Sequence, residues 1–207
     1  MAIFISIEGI EGAGKTTQVR LVSEQLRTGG IDVVATYEPG GCEIGKRIRE
    51  ILLDKSFQQM APLTELLLYN AARAQHLAEV IVPAMDRRAV VITDRFTDST
   101  LAYQCYGRGL DERLVMEIDK AATGGLRPDM TVLLDLAPSV GLGRNKDAKK
   151  IDRFELESIT VHEKVRTGFL ELAKREPARF KIVNASADTA VVTKTIVAAI
   201  EERLRCR

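Results

Sequence analysis

Short apolar segments alternate with longer amphipathic segments along this chain of 207 residues. The apolar, β-branched segments predict five strands, at residues 3–8, 31–37, 89–93, 130–136 and 181–184. Apolar positions at helical spacing predict helices at residues 15–27, 43–53, 62–86, 111–122 and 190–204. The strands are mostly continuous apolar runs, which is typical of a parallel sheet buried on both faces. The pattern therefore predicts an α/β fold in which helices flank a five-stranded parallel sheet.

The order of these segments also predicts where a ligand binds. In open parallel sheets, ligands bind beyond the carboxyl ends of the strands. We therefore expect the residues that follow Glu8, Tyr37 and Thr93 to surround one cleft. The length suits one substantial core, so we expect residues 1–207 to form a single domain.

Composition excludes several classes of function. The 30 basic and 29 acidic residues nearly cancel, so no global field for nucleic acid or membranes is indicated. No apolar run approaches the roughly 20 residues of a membrane span, and the N-terminus has no basic leader. The three cysteines are widely spaced and favour free thiols in a reducing cytosol. His162 and Glu163 begin a zinc motif of the form H-E-x-x-H, but Arg166 stands where the second histidine would be.

The strongest motif is a complete match to G-x-x-x-x-G-K-[ST] between the first strand and the first helix. Its nucleotide-binding residues, extended by one position, are Gly9, Ile10, Glu11, Gly12, Ala13, Gly14, Lys15, Thr16 and Thr17. Glycines let such a loop point successive N–H groups at phosphate, and the helix that follows adds its dipole. We expect Lys15 to reach the β- and γ-phosphates and Thr16 to bind a bridging Mg²⁺. The motif predicts binding of a nucleoside triphosphate without naming the phosphate acceptor.

Asp94 and Arg95 follow the third strand. The aspartate stands where P-loop proteins hold Mg²⁺. The arginine suits a second phosphate, although its position alone fits a structural salt bridge equally well. A phosphate acceptor has a second pKa of about 6 and needs no general base. A GTPase is disfavoured, because the N-K-x-D pattern that begins at Asn145 ends in Ala148.

Residues 143–153 are polar and locally basic. Their cations are Arg144, Lys146, Lys149, Lys150 and Arg153. Most charge runs are solvated surface, and the alternative here is a lid over the phosphates.

In addition to the P-loop, four segments of the chain resemble the thymidylate kinase family of the bacterial type. They are Glu38-Pro39-Gly40-Gly41, Tyr69-Asn70-Ala71-Ala72-Arg73, the segment from Asp94 to Gln104, and Asp152-Arg153-Phe154-Glu155. The resemblance extends from Phe4 to about Ala185. It implies a P-loop NTPase fold, phosphorylation of dTMP to dTDP by ATP with Mg²⁺, and a cytoplasmic homodimer.

The resemblance also implies a contact for each part of the acceptor. Glu11 resembles the acid at the sugar 3′-hydroxyl, Tyr103 the residue that crowds the 2′ position, and Arg95 the cation on the acceptor phosphate. Glu38 would help to order Mg²⁺ and the acceptor, and Pro39 would shape the surrounding loop.

The base would be held by a separate set of residues. Tyr69 resembles the aromatic that stacks on thymine, and Arg73, one helical turn later, would donate to a base carbonyl. Thr100 resembles a hydrogen-bond partner of the base edge, and Gln104 is a further candidate for this pocket.

In this family a transition-state arginine comes from the P-loop or from the lid. Gly12 follows Glu11, so the resemblance assigns this cation to a lid at residues 143–153. We expect Arg153 and Arg144 to matter most, because a guanidinium fork fits phosphoryl oxygens better than an ammonium does. The alternatives are a kinase for another nucleotide or deoxynucleoside, a nucleotide-binding regulator and an interaction-only homologue.

Overall fold

The structure is a computed structural model that describes residues 2–147, 153–154 and 156–205, without the side chains of 145–147. Its five parallel strands are β1 (Ile3–Glu8), β2 (Val33–Tyr37), β3 (Val90–Asp94), β4 (Met130–Asp135) and β5 (Phe180–Asn184). Their order across the sheet is β2-β3-β1-β4-β5. The predicted α/β fold with a five-stranded parallel sheet is therefore confirmed.

Helices connect the strands and cover the sheet. They are α1 (Lys15–Thr28), α2 (Glu43–Leu53), α3 (Pro62–His76), α4 (Val82–Asp86), α5 (Thr97–Thr100), α6 (Glu112–Thr123), α7 (Pro138–Asp147), α8 (Ile159–Arg175) and α9 (Thr189–Arg205). Two π-helical segments, Leu77–Ile81 and Leu101–Gly107, continue α3 and α5, and a 3₁₀ turn spans Lys55–Phe57. No helix in the described residues is long and apolar enough to cross a bilayer.

The three central strands explain the continuous apolar pattern. All six residues of β1 are buried, and β3 and β4 are buried except at their last residue. The edge strands β2 and β5 expose residues, as expected where one side of a strand has no neighbour. Because β3 lies between β1 and β2, the carboxyl ends of these three strands meet at one edge of the sheet.

The helical pattern differs from the prediction in four places. The predicted helix at 62–86 is interrupted by the π-helical segment Leu77–Ile81. Residues 97–107 are helical although they begin Thr-Asp-Ser-Thr, a poor helix-forming sequence, because all four of these residues are buried. Helix α8 was not predicted. Helix α7 extends to Asp147, so the first part of the expected lid is helical. Residues 148–152 of the expected lid lie outside the described residues.

Candidate active site

The P-loop joins β1 to α1 and turns tightly around its own backbone. Lys15 is buried, and its Nζ donates to the Ile10 carbonyl at 2.8 Å. Burial and the nearby Arg95 charge lower the pKa of Lys15 to about 8. Gly12 has a φ of 71°, and a Cβ on it would lie 2.1 Å from the Gly141 carbonyl oxygen of α7. Position 12 therefore excludes any side chain, including an arginine.

A hydroxyl and a carboxylate meet at the start of α1. The Thr16 hydroxyl donates to Asp94 Oδ2 at 2.6 Å, which links the P-loop to the end of β3. Both are hard oxygen ligands of the kind that Mg²⁺ binds together with phosphate oxygens and water. This pair therefore fits the magnesium site that the sequence predicts.

A cavity of about 440 Å³ opens at the carboxyl ends of β1, β2 and β3, where the sequence places the cleft. It is lined by all nine residues predicted to bind the acceptor: Glu11, Glu38, Pro39, Tyr69, Arg73, Arg95, Thr100, Tyr103 and Gln104. The cationic side chains along its wall are Lys15, Arg49, Arg73 and Arg95. A cavity of this size and charge suits an anionic small molecule.

Arg95 donates hydrogen bonds to four groups at the wall of the cavity. Its Nη2 donates to Glu11 Oε1 and to the Tyr103 hydroxyl, each at 3.0 Å. Its Nη1 donates to the Gly9 carbonyl at 3.0 Å and to Ser99 Oγ at 2.9 Å. The Tyr103 hydroxyl in turn donates to Glu11 Oε1. The guanidinium thus binds directly to two residues of the P-loop, Gly9 and Glu11.

Glu11 is held from both of its oxygens. Its Oε2 lies 3.3 Å from His162 Nδ1 of α8. Burial raises the pKa of Glu11, but the hydrogen bond from His162 and the charges of Arg95 and Lys15 outweigh it and lower the pKa below its usual range. Glu11 is therefore anionic, and it can accept a hydrogen bond from a substrate hydroxyl.

A buried ion-pair network supports the other wall. Arg73 donates from Nε to Glu38 Oε2 at 2.8 Å and from Nη1 to Asp119 Oδ1 at 2.6 Å. His76 Nδ1 lies 2.9 Å from Glu38 Oε1, and His76 Nε2 lies 2.6 Å from Thr36 Oγ1. Both carboxylate oxygens of Glu38 thus contact protein groups. The Glu38–Pro39 peptide is cis.

Aromatic rings line the end of the cavity beyond Arg73. Phe154 packs with its ring centroid 6.3 Å from that of Tyr69 and 5.9 Å from that of Tyr103. Thr100 is buried in the same wall, and Gln104 Nε2 donates to Glu65 Oε1 at 2.9 Å. This end of the cavity combines aromatic rings with polar edges, which suits a planar base.

A second cavity, of about 460 Å³, lies on the other side of the P-loop. Its wall includes Ala13, Gly14, Thr17 and Arg144, and it shares Gly12, Lys15 and Thr16 with the first cavity. Arg144 Nη1 donates to the Gly12 and Ala185 carbonyls, each at 3.3 Å. The P-loop therefore separates two pockets that meet at its lysine and threonine.

Arg153 lies away from both phosphate-facing walls. It is buried, its Nη2 donates to Glu65 Oε2 at 2.6 Å and its Nε donates to the Leu52 carbonyl at 3.0 Å. Its guanidinium packs 4.7 Å from the Phe154 ring centroid. Of the two predicted lid arginines, only Arg144 is thus placed beside the P-loop. The side chains of the cations Lys146, Lys149 and Lys150 lie outside what the structure describes.

Sequence reasoning missed two charged residues of the site. Glu8 is fully buried, accepts from Phe96 N at 2.7 Å and Ser99 Oγ at 2.6 Å, and so holds the turn in which Arg95 adopts a φ of 73°. Burial, with the Asp98 charge, raises the pKa of Glu8 to about 8. The sequence feature that could have identified Glu8 is a single acidic residue at the end of an apolar strand. Arg49 on α2 borders the cavity and donates to the Pro39 carbonyl at 2.9 Å, and it looked like an ordinary helix-surface charge.

Comparisons with known proteins show the family of this chain. A thymidylate kinase family model matches residues 7–196. Similar proteins include the thymidylate kinase of Geobacter sulfurreducens, 51% identical over 97% of this chain and 96% of the relative. That of Geotalea uraniireducens is 49% identical over 99% of each chain. The solved thymidylate kinase from Ehrlichia chaffeensis is 30% identical, with a TM-score of 0.76 over 97% of this chain and 98% of that one. This chain therefore belongs to the thymidylate kinase family.

Proposed function

We propose that this enzyme transfers the γ-phosphate of ATP to dTMP, giving ADP and dTDP, in the cytoplasm. The observation that carries the proposal is the pair of cavities that share Gly12, Lys15 and Thr16. One cavity is the P-loop pocket for ATP, and the other has the charge and aromatic lining that a nucleoside monophosphate needs. Two substrates bound in this way would face each other across the lysine, as an in-line transfer requires.

The acceptor would lie along its cavity from phosphate to base. Arg95, joined by Arg49, would bind its phosphate, and Glu11 would accept from the sugar 3′-hydroxyl while Tyr103 crowds the 2′ position. Tyr69 would stack on thymine. The acceptor phosphate is mostly dianionic near neutral pH, so catalysis needs positioning and charge neutralisation rather than a general base.

The remaining groups of the base pocket would set its specificity. Arg73 would donate to a thymine carbonyl, and its geometry is fixed by Glu38 and Asp119. Thr100 and Gln104 would border the base edge, and Pro39 would shape the loop opposite. A purine would need a different base pocket, and the combination of Tyr69 with Arg73 favours a pyrimidine.

Mg²⁺ would be held by Thr16 and Asp94 beside the phosphates. The ion would neutralise charge on the β- and γ-phosphate oxygens. Glu38 was also predicted as a metal group. Because its oxygens contact Arg73 and His76, we propose that it acts on the metal only through the arrangement of the cavity.

The cation on the transferring phosphoryl group would come from Arg144. It contacts the Gly12 carbonyl and borders the ATP-side cavity. Arg153 would have to leave Glu65 to reach the phosphates, so its proposed contribution is the weaker of the two.

The test is a coupled ADP-release assay with Mg-ATP and a panel of acceptors: dTMP, dUMP, UMP, dCMP, AMP, GMP and thymidine. A rate with dTMP well above the others supports the proposal. Preference for another monophosphate would keep the phosphotransfer and overturn the base pocket. ADP release that is independent of any acceptor would instead favour a nucleotide-binding regulator.

We also propose that the enzyme is a homodimer. Apolar side chains are exposed on α2 and α3: Ile44, Ile51, Leu63 and Leu67. Adjacent exposed apolar residues of this kind are typical of subunit interfaces. A Leu67→Glu variant should elute as a monomer where the wild type elutes as a dimer, with light scattering to give the masses. Equal masses for both proteins would contradict this interface.

A further inference from the structure

The P-loop carboxylate Glu11 has ion-pair partners on two sides. Arg95 and Tyr103 hold Oε1, and both come from the segment after β3. His162 comes from α8, a different element, and its Nδ1 faces Oε2 at 3.3 Å. The carboxylate is therefore fixed in rotation by groups that belong to separate parts of the fold.

The two sides differ in what substrate binding does to them. Arg95 is the residue proposed to bind the acceptor phosphate. Both N–H groups of its Nη2 are engaged, one by Glu11 and one by Tyr103, so a phosphate oxygen bound there would displace one of these contacts. His162 is 2% exposed and is not among the residues that line the acceptor cavity, so acceptor binding does not draw it away from Glu11. In the complex with acceptor, the contact of His162 with Oε2 is then independent of Arg95, whereas the contacts on Oε1 are shared with the groups that bind the phosphate.

A buried carboxylate oxygen needs such a donor. Glu11 Oε2 is buried, and among the described residues the 3.3 Å approach of His162 Nδ1 is its polar contact, short of full hydrogen-bond geometry. An anionic oxygen buried without a hydrogen bond is costly. The lowered pKa of Glu11, with His162 as its largest favourable cause, agrees with this geometry. Without His162 the carboxylate could rotate or take up a proton, and either change would weaken it as an acceptor for a hydroxyl.

We propose that His162 is a positioning residue for the acceptor sugar, which keeps the Glu11 carboxylate oriented when Arg95 turns to the acceptor phosphate. This inference rests on the proposed contact between Glu11 and the sugar 3′-hydroxyl. His162 touches neither substrate, and it acts through Glu11.

The experiment compares dTMP with its analogue that lacks the 3′-hydroxyl, 2′,3′-dideoxythymidine monophosphate. The readout is the ratio of kcat/KM for the two acceptors. His162→Phe keeps a planar ring and removes the donor, and we expect it to lower this ratio by roughly tenfold, the size of a hydrogen bond to a charged group. His162→Asn places an amide donor near the Nδ1 position and should recover much of the ratio.

Two further variants make the result decisive. Val165→Ala lies one turn along the same buried face of α8 and removes core packing, so it should lower stability and leave the ratio unchanged. Glu11→Gln should lower the ratio, and this measures the sugar contact itself. A changed ratio in Glu11→Gln but not in His162→Phe would overturn the role of His162 and leave the sugar contact intact. An unchanged ratio in both would overturn the sugar contact and this inference with it, and an equal loss in Val165→Ala would reduce His162 to packing.

Discussion

Removal of Asp119 tests whether the Arg73 network positions the base pocket. The Arg73 side chain is 2% exposed and is shared by Glu38 and Asp119. Asp119→Ala leaves Nη1 without its acceptor at 2.6 Å, while Glu38 still balances the charge. A buried charge with no partner costs about 3–5 kcal/mol, and one lost hydrogen bond to a charged group about 1.5–3 kcal/mol. We therefore expect Asp119→Ala to destabilise the fold by about 2–3 kcal/mol.

A conservative variant separates charge from hydrogen bonding. Burial already raises the pKa of Asp119 more than Arg73 lowers it, so a neutral acceptor is tolerated at this position. Asp119→Asn keeps a carbonyl oxygen for Nη1 and should cost about 1 kcal/mol. The KM of dTMP should rise more in Asp119→Ala than in Asp119→Asn, because a displaced guanidinium weakens the base contact. The KM of ATP should stay near the wild-type value in both variants.

Urea unfolding and thermal melts provide the measurement. At about 2–4 °C per kcal/mol for a chain of this size, Asp119→Ala should melt roughly 5–10 °C below the wild type. Glu117→Ala is the matched control on α6, since it removes only an exposed pair with Arg113 worth about 0–1 kcal/mol. If Asp119→Ala and Glu117→Ala have the same melting temperature, the network does not hold Arg73 and this reasoning is refuted.

Three other predictions concern the phosphates and acid stability. Arg95→Ala should lower kcat/KM for dTMP by about 10²-fold or more in the ADP-release assay, and acceptor-dependent turnover near the wild-type rate would contradict its assignment. Arg144→Ala should lower kcat more than Arg153→Ala does, and wild-type turnover in both would remove the arginines from the transfer step. Hydrogen bonds from Arg179, against partial burial, lower the pKa of Glu176 from 4.5 to about 2. Because the folded-state value is the lower one, Glu176 stabilises the fold above its unfolded pKa and this contribution fades as the pH falls from about 4.5 to 2. Unfolding of Glu176→Gln should therefore depend less on pH in this window, and identical profiles would contradict the ion pair.

The chain order of its motifs made most of the site predictable. The P-loop is a local structure, since its glycines, its lysine and the following helix lie within one short segment. The three segments after β1, β2 and β3 could be placed in one cleft because parallel strands end at the same edge of a sheet. Asp94 and Thr16 illustrate this, since they are 78 residues apart in sequence and 2.6 Å apart in the fold.

The partners of each site residue were decided only by the tertiary structure. Sequence placed Arg153 on the phosphates, whereas a buried carboxylate on α3, Glu65, holds it elsewhere. His162 looked like a failed zinc motif until α8 set it against Glu11. Local sequence patterns predict the structure of segments that form their own hydrogen bonds, such as the P-loop, and they indicate which charged side chains lie in those segments. Which buried charge meets which depends on the packing of distant elements, because a desolvated charge must find a partner wherever the fold provides one.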